Sequence, residues 1–321
     1  MNTTLTTIKK HIDMLVPAAI LSTILAFSYG CGGGNGTVRV VPAPTVFTTI
    51  DGPGGNPTTL NGISNNGTTV GFTTNNGANA NFLRSTGGVF TSLAIGDPAA
   101  GMSNAVNIHS AVVGVANNNA FLLANGNQTA LTPPGSTTSI AFGINDNGVI
   151  VGQYAASAGG TTPGFVDANG VFTTITPTTS ATVTNVQGIN NRGLAVGFYS
   201  ADGVHQHGFT YDISSKKITL LPDPNTPRIV SGGLTLTQFL GINDNNEAVG
   251  YYQTTNGSQF GFLFNLNTQT YTFLDAPQAA PVNGVQITQI TGVSNAGTIA
   301  GFFIDANGAQ HGFIAAPSTS K

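Results

Sequence analysis

From residue 45 onward the chain is a series of short runs in which apolar and polar positions alternate, separated by clusters of Asn, Gly, Asp, Thr and Pro. Alternation with period two, β-branched and aromatic residues inside the runs and turn formers between them predict short β-strands. No helical period is sustained after Cys31. One phrase recurs. Its clearest copy is Gly188-Ile189-Asn190-Asn191-Arg192-Gly193-Leu194-Ala195-Val196-Gly197-Phe198-Tyr199, and the others begin at Gly62, Ala105, Gly143, Gly241 and Gly292. After each copy comes a segment that ends on Phe82, Phe121, Phe165, Phe209, Phe262 or Phe313, and five of the six then continue into a Thr-rich alternating run. Four strands in each repeat of about 46 residues is the length of a propeller blade, roughly twice that of a β-helix coil.

The sixth copy stops after its third strand, while Phe47-Thr48-Thr49-Ile50 stands unclaimed before the first. An N-terminal strand that completes the last blade closes the ring and protects its edge. The expected fold is therefore all-β: a six-bladed β-propeller of four-stranded blades over residues 45–317. Within it, Gly71, Gly114, Gly152, Gly197, Gly250 and Gly301 are expected to let adjacent blades pack near the axis. Ile144, Ile189 and Ile242, with Phe165, Phe209 and Phe262, should fill the space between sheets, and Asn145, Asn190 and Asn243 should satisfy turn backbone.

The segment before the repeats reads differently. Lys9 and Lys10 precede an apolar run from Met14 to Tyr29, too short to cross a hydrocarbon core of about 30 Å. A basic start, a short apolar middle and a small-residue exit describe a signal peptide over residues 1–30. Cys31, the chain's single cysteine, follows it directly and precedes a Gly-rich stretch, so residues 31–44 read as a flexible tether. The junction resembles the lipobox of bacterial lipoproteins, whose cysteine becomes the lipidated first residue, although Ser28 stands where that pattern usually has Leu. The resemblance implies lipid attachment at Cys31 and a location in the cell envelope or outside the cell, with membrane contact only through that anchor.

The Gly-Ile-Asn…Val-Gly phrase, together with His207-Gly208-Phe209 and His311-Gly312-Phe313, also resembles the HAF repeat of bacterial extracellular proteins, over Thr45 to Pro317. That resemblance implies secretion and no particular activity. The chain departs from the His-Ala-Phe form, keeping His in two copies and Ala in one.

Composition narrows the function. Of 321 residues only 9 are Lys or Arg and 12 are Asp or Glu. Losing Lys9, Lys10 and Asp13 with the leader moves the net charge from −3 to −4. So few cations cannot neutralise many phosphates, so nucleic acid is excluded as a partner. One cysteine excludes a disulfide framework and a Cys-based zinc site. There is no nucleophile elbow and no phosphate-cradling glycine loop before a helix, and no cofactor is implied. Asp167-Ala168-Asn169-Gly170 and Asp305-Ala306-Asn307-Gly308 lack the spaced carboxylates of a calcium loop and read as hairpin turns. His205 and His207 place two imidazoles on one strand face, but without a third ligand no metal is assigned.

The short turns all fall on one face of the expected ring. The long connections, such as Ala155–Pro163, Ser200–Gln206 and Asp275–Val285, share the other face, which is where binding is expected. There Tyr154, Tyr199 and Tyr252, each two residues past a strand glycine, together with His205, His207 and His311, form a candidate ligand rim. Phenols and imidazoles could stack on a sugar or peptide and donate hydrogen bonds; the same aromatics could instead pad the gaps between blades. The chain thus reads as a monomeric, surface-anchored binding or scaffolding module for a glycan or protein ligand. The alternative is a glycan hydrolase or lyase with its site at the mouth of the central channel, which would need a pair of carboxylates there.

Overall fold

The computed structural model describes residues 46–317, apart from 56, 98–99, 157–159 and 227–232. Cys31, the leader and the tether lie outside the described residues. Every regular element described is a strand. No helix long and apolar enough to cross a membrane occurs among the described residues.

Strand β1 (Val46–Ile50) precedes the first complete blade, which is β2 (Thr58–Ile63), β3 (Thr69–Asn75), β4 (Ala78–Arg84) and β5 (Phe90–Ser92). Blade 2 is β6 (Met102–Val106), β7 (Val112–Ala116), β8 (Asn119–Ala124) and β9 (Asn127–Leu131). Blade 3 is β10 (Ser136–Ile144), β11 (Ile150–Ala156), β12 (Gly164–Ala168) and β13 (Val171–Ile175). Blade 4 is β14 (Val183–Ile189), β15 (Leu194–Ser200), β16 (His207–Asp212) and β17 (Lys217–Leu220). Blade 5 is β18 (Leu234–Ile242), β19 (Glu247–Thr254), β20 (Gln259–Asn265) and β21 (Thr270–Leu274). Blade 6 contributes β22 (Thr288–Val293), β23 (Ile299–Ile304) and β24 (Gln310–Ala316).

Each blade is a four-stranded antiparallel meander, and the sixth has the order β1-β24-β23-β22. The expected closure is present: Val46 pairs with Ala316 and Ile50 with Gly312, and Phe47 packs its ring 5.7 Å from that of Phe313. The first and last strands of the described chain are thereby hydrogen-bonded, and no blade is left with three strands.

The core lies between blades rather than at one centre. Phe82, Phe121, Phe165, Phe209, Phe262 and Phe313, one from each third strand, are 1 % exposed or less. Each joins aliphatic residues from the adjoining blade; Phe209, for example, clusters with Val151, Val166 and Ile175 of blade 3. Ile144, Ile189 and Ile242 belong to these clusters too, as the repeat predicts.

The tight turn from first to second strand needs one left-handed residue, which Gly148 and Gly193 supply at φ 78° and 80°. In blade 5 Asn246 takes the equivalent place at φ 62°. In the worn second copy Ser110 does so at φ 59°. Asn145 and Asn190 stabilise that turn: the Oδ1 of Asn190, for instance, accepts from the N–H groups of Arg192 and Leu194. Each Asn also spans to the next blade, Asn145 Nδ2 donating to the carbonyl of Asn190 and Asn190 Nδ2 to that of Asn243. The repeated asparagine thus stitches blades together as well as finishing its own turn.

The glycines divide the work differently from expectation. A Cβ on Gly71, Gly114, Gly152, Gly197, Gly250 or Gly301 would strike a backbone carbonyl of the inner strand in the same blade. Contact between blades at the axis falls to the glycine that opens each phrase: a Cβ on Gly188 would stand 2.9 Å from Gly241 Cα, and one on Gly241 3.0 Å from Gly292 Cα. The strand glycine seats its own blade, and the phrase-opening glycine seats the next.

Candidate ligand-binding site in the central channel

The channel is shaped by an irregularity repeated six times. In every inner strand the pairing with the second strand skips one residue: Asn61, Asn104, Phe142, Gln187, Leu240 and Thr291. A bulge adds one residue to a strand and re-aims its side chain. All six extra residues are half-buried and line the same central cavity of about 460 Å³. The residue that follows each is glycine in five copies and Ala105 in the other, whereas the bulged residue itself varies.

Nearer the mouth the wall is built from cross-strand pairs, whose side chains share a sheet face. In four blades a polar side chain stands beside an aromatic ring: Thr59 with Phe72, Asn185 with Phe198, Gln238 with Tyr251 and Gln289 with Phe302. All eight line the cavity. In blades 2 and 3 the inner-strand residues are Met102 and Ile140, which pack with Val115, Phe72 and Phe142 into an apolar patch. The wall thus joins an apolar patch at blades 2 and 3, flanked by Asn104 and Gln153, to an arc that alternates a polar side chain with a ring.

The amides are held across blade boundaries. Gln238 Nε2 donates to Gln206 Oε1 at 2.6 Å, Gln289 Nε2 to Gln259 Oε1 at 2.6 Å, and Gln310 Nε2 to Thr59 Oγ1 at 2.6 Å. Three polar atoms of the wall have no hydrogen-bond partner: Gln153 Oε1, Asn185 Nδ2 and Gln289 Oε1. A buried amide without a partner is costly. Among the described residues that line the cavity none is Asp, Glu, His, Lys or Arg. Tyr251 is the one titratable group there, and burial pushes its phenol far above the ordinary range.

The other end of the channel narrows in two layers. Ile63, Val106, Ile144, Ile189, Ile242 and Val293 form a collar shared by the main cavity and a second one of about 50 Å³. Beyond the collar lies a hydrogen-bonded ring on the short-turn face. The N–H of Asp146 donates to Asn191 Oδ1, that of Asn191 to Asp244 Oδ1, that of Asp244 to Asn295 Oδ1 and that of Asn295 to Asn65 Oδ1. Burial opposes ionisation of Asp146. Hydrogen bonds from Asn191, the Ile108 N–H and Asn65 outweigh it and draw the carboxyl below its ordinary range. The site is a well with its floor at the collar and its opening toward the long connections.

The six residues proposed as a rim do not gather at that opening, and none lines the cavity. Tyr154 is buried between blades with its hydroxyl 3.0 Å from Thr174 Oγ1. Tyr252 is fully buried against Phe260 and Phe273. Tyr199 is half-buried beside His207 and Phe209, and burial together with the Asp223 carboxylate raises its phenol. Each imidazole goes to a different carboxylate: His205 Nδ1 to Asp202 at 2.6 Å, His207 Nδ1 to Asp223 at 2.8 Å and His311 Nδ1 to Asp51 at 2.8 Å. Asp202 is held well below the usual carboxylate range, first by the His205 hydrogen bond. No group of three or more His, Cys, Asp or Glu able to hold a metal occurs among the described residues.

The reason is parity. Successive strand residues point to opposite faces. Tyr154, Tyr199 and Tyr252 point into the gaps between blades, while Gln153, Phe198 and Tyr251, one position earlier, face the well. The residues that line the well escaped the sequence reading, although a signal was present: the position just before each Gly-Ile-Asn phrase changes while the phrase does not.

No family model matches the chain, and no curated protein is similar to it in sequence. Among solved structures, a protein assigned as TolB from Agrobacterium tumefaciens superposes with a TM-score of 0.52 at 9 % identity, over 82 % of this chain and 91 % of that one. The likeness is one of fold. A variant of Aleuria aurantia lectin in complex with Fucα1-6GlcNAc gives 0.46 at 13 % identity, over 83 % and 99 % of the two chains. Oligogalacturonate lyase from Vibrio parahaemolyticus gives 0.45 at 11 % identity, over 86 % and 97 %. Similarity at that level carries nothing about activity.

Proposed function

We propose that this chain is a bacterial extracytoplasmic binding module of the HAF-repeat type, anchored through a lipid on Cys31 and working as a monomer, with its ligand seated in the central well. The observation that carries this reading is the lining of the well. It combines amide donors and acceptors with aromatic and aliphatic faces, at a volume typical of ligand sites, and it holds no acid–base pair. A glycan hydrolase needs two carboxyl groups about 5–10 Å apart across the scissile bond. Asp146 and Asp244 share Asn191 as a hydrogen-bond donor and line the small cavity beyond the collar. Binding without turnover is the reading this chemistry supports.

The test uses the full-length chain expressed in a bacterial envelope. Acylated Cys31 in the N-terminal peptide, and loss of membrane association in Cys31→Ser, support the anchor; an unmodified thiol in a soluble protein overturns it. For binding, Leu240→Trp is the diagnostic variant, because Leu240 is a bulged, half-buried residue on the cavity wall and an indole there projects into the well. Ligands from glycan and peptide arrays should be lost in that variant while its circular dichroism is unchanged. Ligands retained by Leu240→Trp, or turnover of any polysaccharide tried, refute the reading.

A further inference from the structure

We infer that the well takes the terminal unit of a neutral saccharide, an inference that rests on the binding reading above and names its ligand class. Three observations combine. The well narrows at the collar from Ile63 to Val293 to a space of only about 50 Å³, too small for a sugar ring, so it admits the end of a chain rather than a strand passing through. Its lining carries no charge at neutral pH among the described residues, since the Tyr251 phenol stays protonated. Its wall repeats one unit, a polar side chain beside an aromatic ring, at Thr59/Phe72, Asn185/Phe198, Gln238/Tyr251 and Gln289/Phe302.

Charge decides between the chain ends that could enter. A peptide presents an ammonium or a carboxylate, and burying either without a counter-charge is expensive. Uronic and sialic acid ends fail for the same reason. A neutral sugar end has hydroxyls, which donate and accept, and a C–H face that lies on an aromatic ring. The unpartnered atoms ask for such groups: Asn185 Nδ2 needs an acceptor, while Gln153 Oε1 and Gln289 Oε1 need donors. A hydroxyl meets either demand, and the terminal amide torsions are soft enough to turn toward it. The apolar patch of Met102, Val115 and Ile140 faces the deoxygenated or C–H side of the same ring.

The experiment is a glycan array followed by calorimetry with methyl glycosides of neutral hexoses, deoxyhexoses and N-acetylhexosamines. Methyl glucuronide and short peptides with free or blocked ends serve as comparisons. The proteins are the wild type, Asn185→Leu and Leu240→Trp. The inference predicts that a neutral glycoside binds, that the glucuronide binds at least tenfold more weakly and that Leu240→Trp abolishes binding. Asn185→Leu should weaken it about tenfold, as expected for losing a hydrogen bond in a water-poor site. Unchanged thermal unfolding in Asn185→Leu separates this effect from misfolding, and Phe302→Ala, which removes a ring and leaves every amide, serves as a second variant if it does not. A peptide or an anion that binds and is expelled by Leu240→Trp overturns the sugar assignment but leaves the binding module standing. A neutral glycoside unaffected by Leu240→Trp, or no ligand at all, overturns both.

Discussion

Gly188→Ala tests the account of how the blades meet at the axis. The added Cβ would lie 2.9 Å from Gly241 Cα and 3.0 Å from Leu240 O, both backbone atoms of blade 5. Carbon atoms at rest stand about 3.5–4.0 Å apart, so the inner strands of blades 4 and 5 must separate by at least half an ångström. They have little freedom to do so, because a Cβ on Gly241 would be 3.0 Å from Gly292 Cα in the blade beyond and one on Gly292 3.0 Å from Ile63 N. Overpacking of this kind costs about 1–3 kcal/mol, which for a domain of this size lowers Tm by about 2–10 °C. Thermal unfolding followed by far-UV circular dichroism measures it. Gly87→Ala is the control, since its nearest atom would be 3.8 Å away and its φ is not positive. Ala105 occupies the equivalent place in blade 2, so the ring accepts one methyl there; Ala105→Gly should change stability by less than about 1 kcal/mol. If Gly188→Ala melts with the wild type, the phrase-opening glycine is not a close-packing position and the account of the hub is wrong.

Three other outcomes follow from the same structure. Phe165→Ala should cost about 3–5 kcal/mol, because the ring is fully buried between blades 2 and 3; chemical denaturation reads it, and a cost under about 1 kcal/mol would contradict that placement. Deleting Val46–Ile50 strips β1 from β24 and leaves blade 6 with three strands, so unfolding should lose cooperativity and hydrogen exchange in β24 should accelerate. The Asp146 carboxyl is drawn below its ordinary pKa in the folded ring. Its contribution to stability should be complete above the usual carboxyl range near pH 4 and disappear as pH falls through the lowered folded value; Asp146→Asn should flatten that limb of the Tm–pH curve.

How much could be read in advance differs from fold to site. The blade count, the strand order within a blade and the joining of Phe47–Ile50 to the last blade all follow from a phrase recurring along the chain, and the structure has each of them. The residues that line the proposed site did not follow; the central channel entered only with the enzyme alternative. The aromatic residues Tyr154, Tyr199 and Tyr252 were conspicuous because they recur in register, yet recurrence marks what every blade needs, namely a filled gap between sheets. The proposed binding surface consists of positions where blades differ, such as Phe142, Gln187 and Leu240.

By itself, then, the sequence determined the periodic part of this protein: strands, turns, the number of blades and the means of closure, because those rest on local backbone preferences repeated in order. Only the tertiary structure decided which side chains meet. A bulge of one residue in each inner strand reverses the facing of everything beyond it, and that reversal depends on a strand glycine admitting a carbonyl from its neighbour. The well exists because six such bulges converge on one axis. Convergence belongs to the closed ring and to no single repeat.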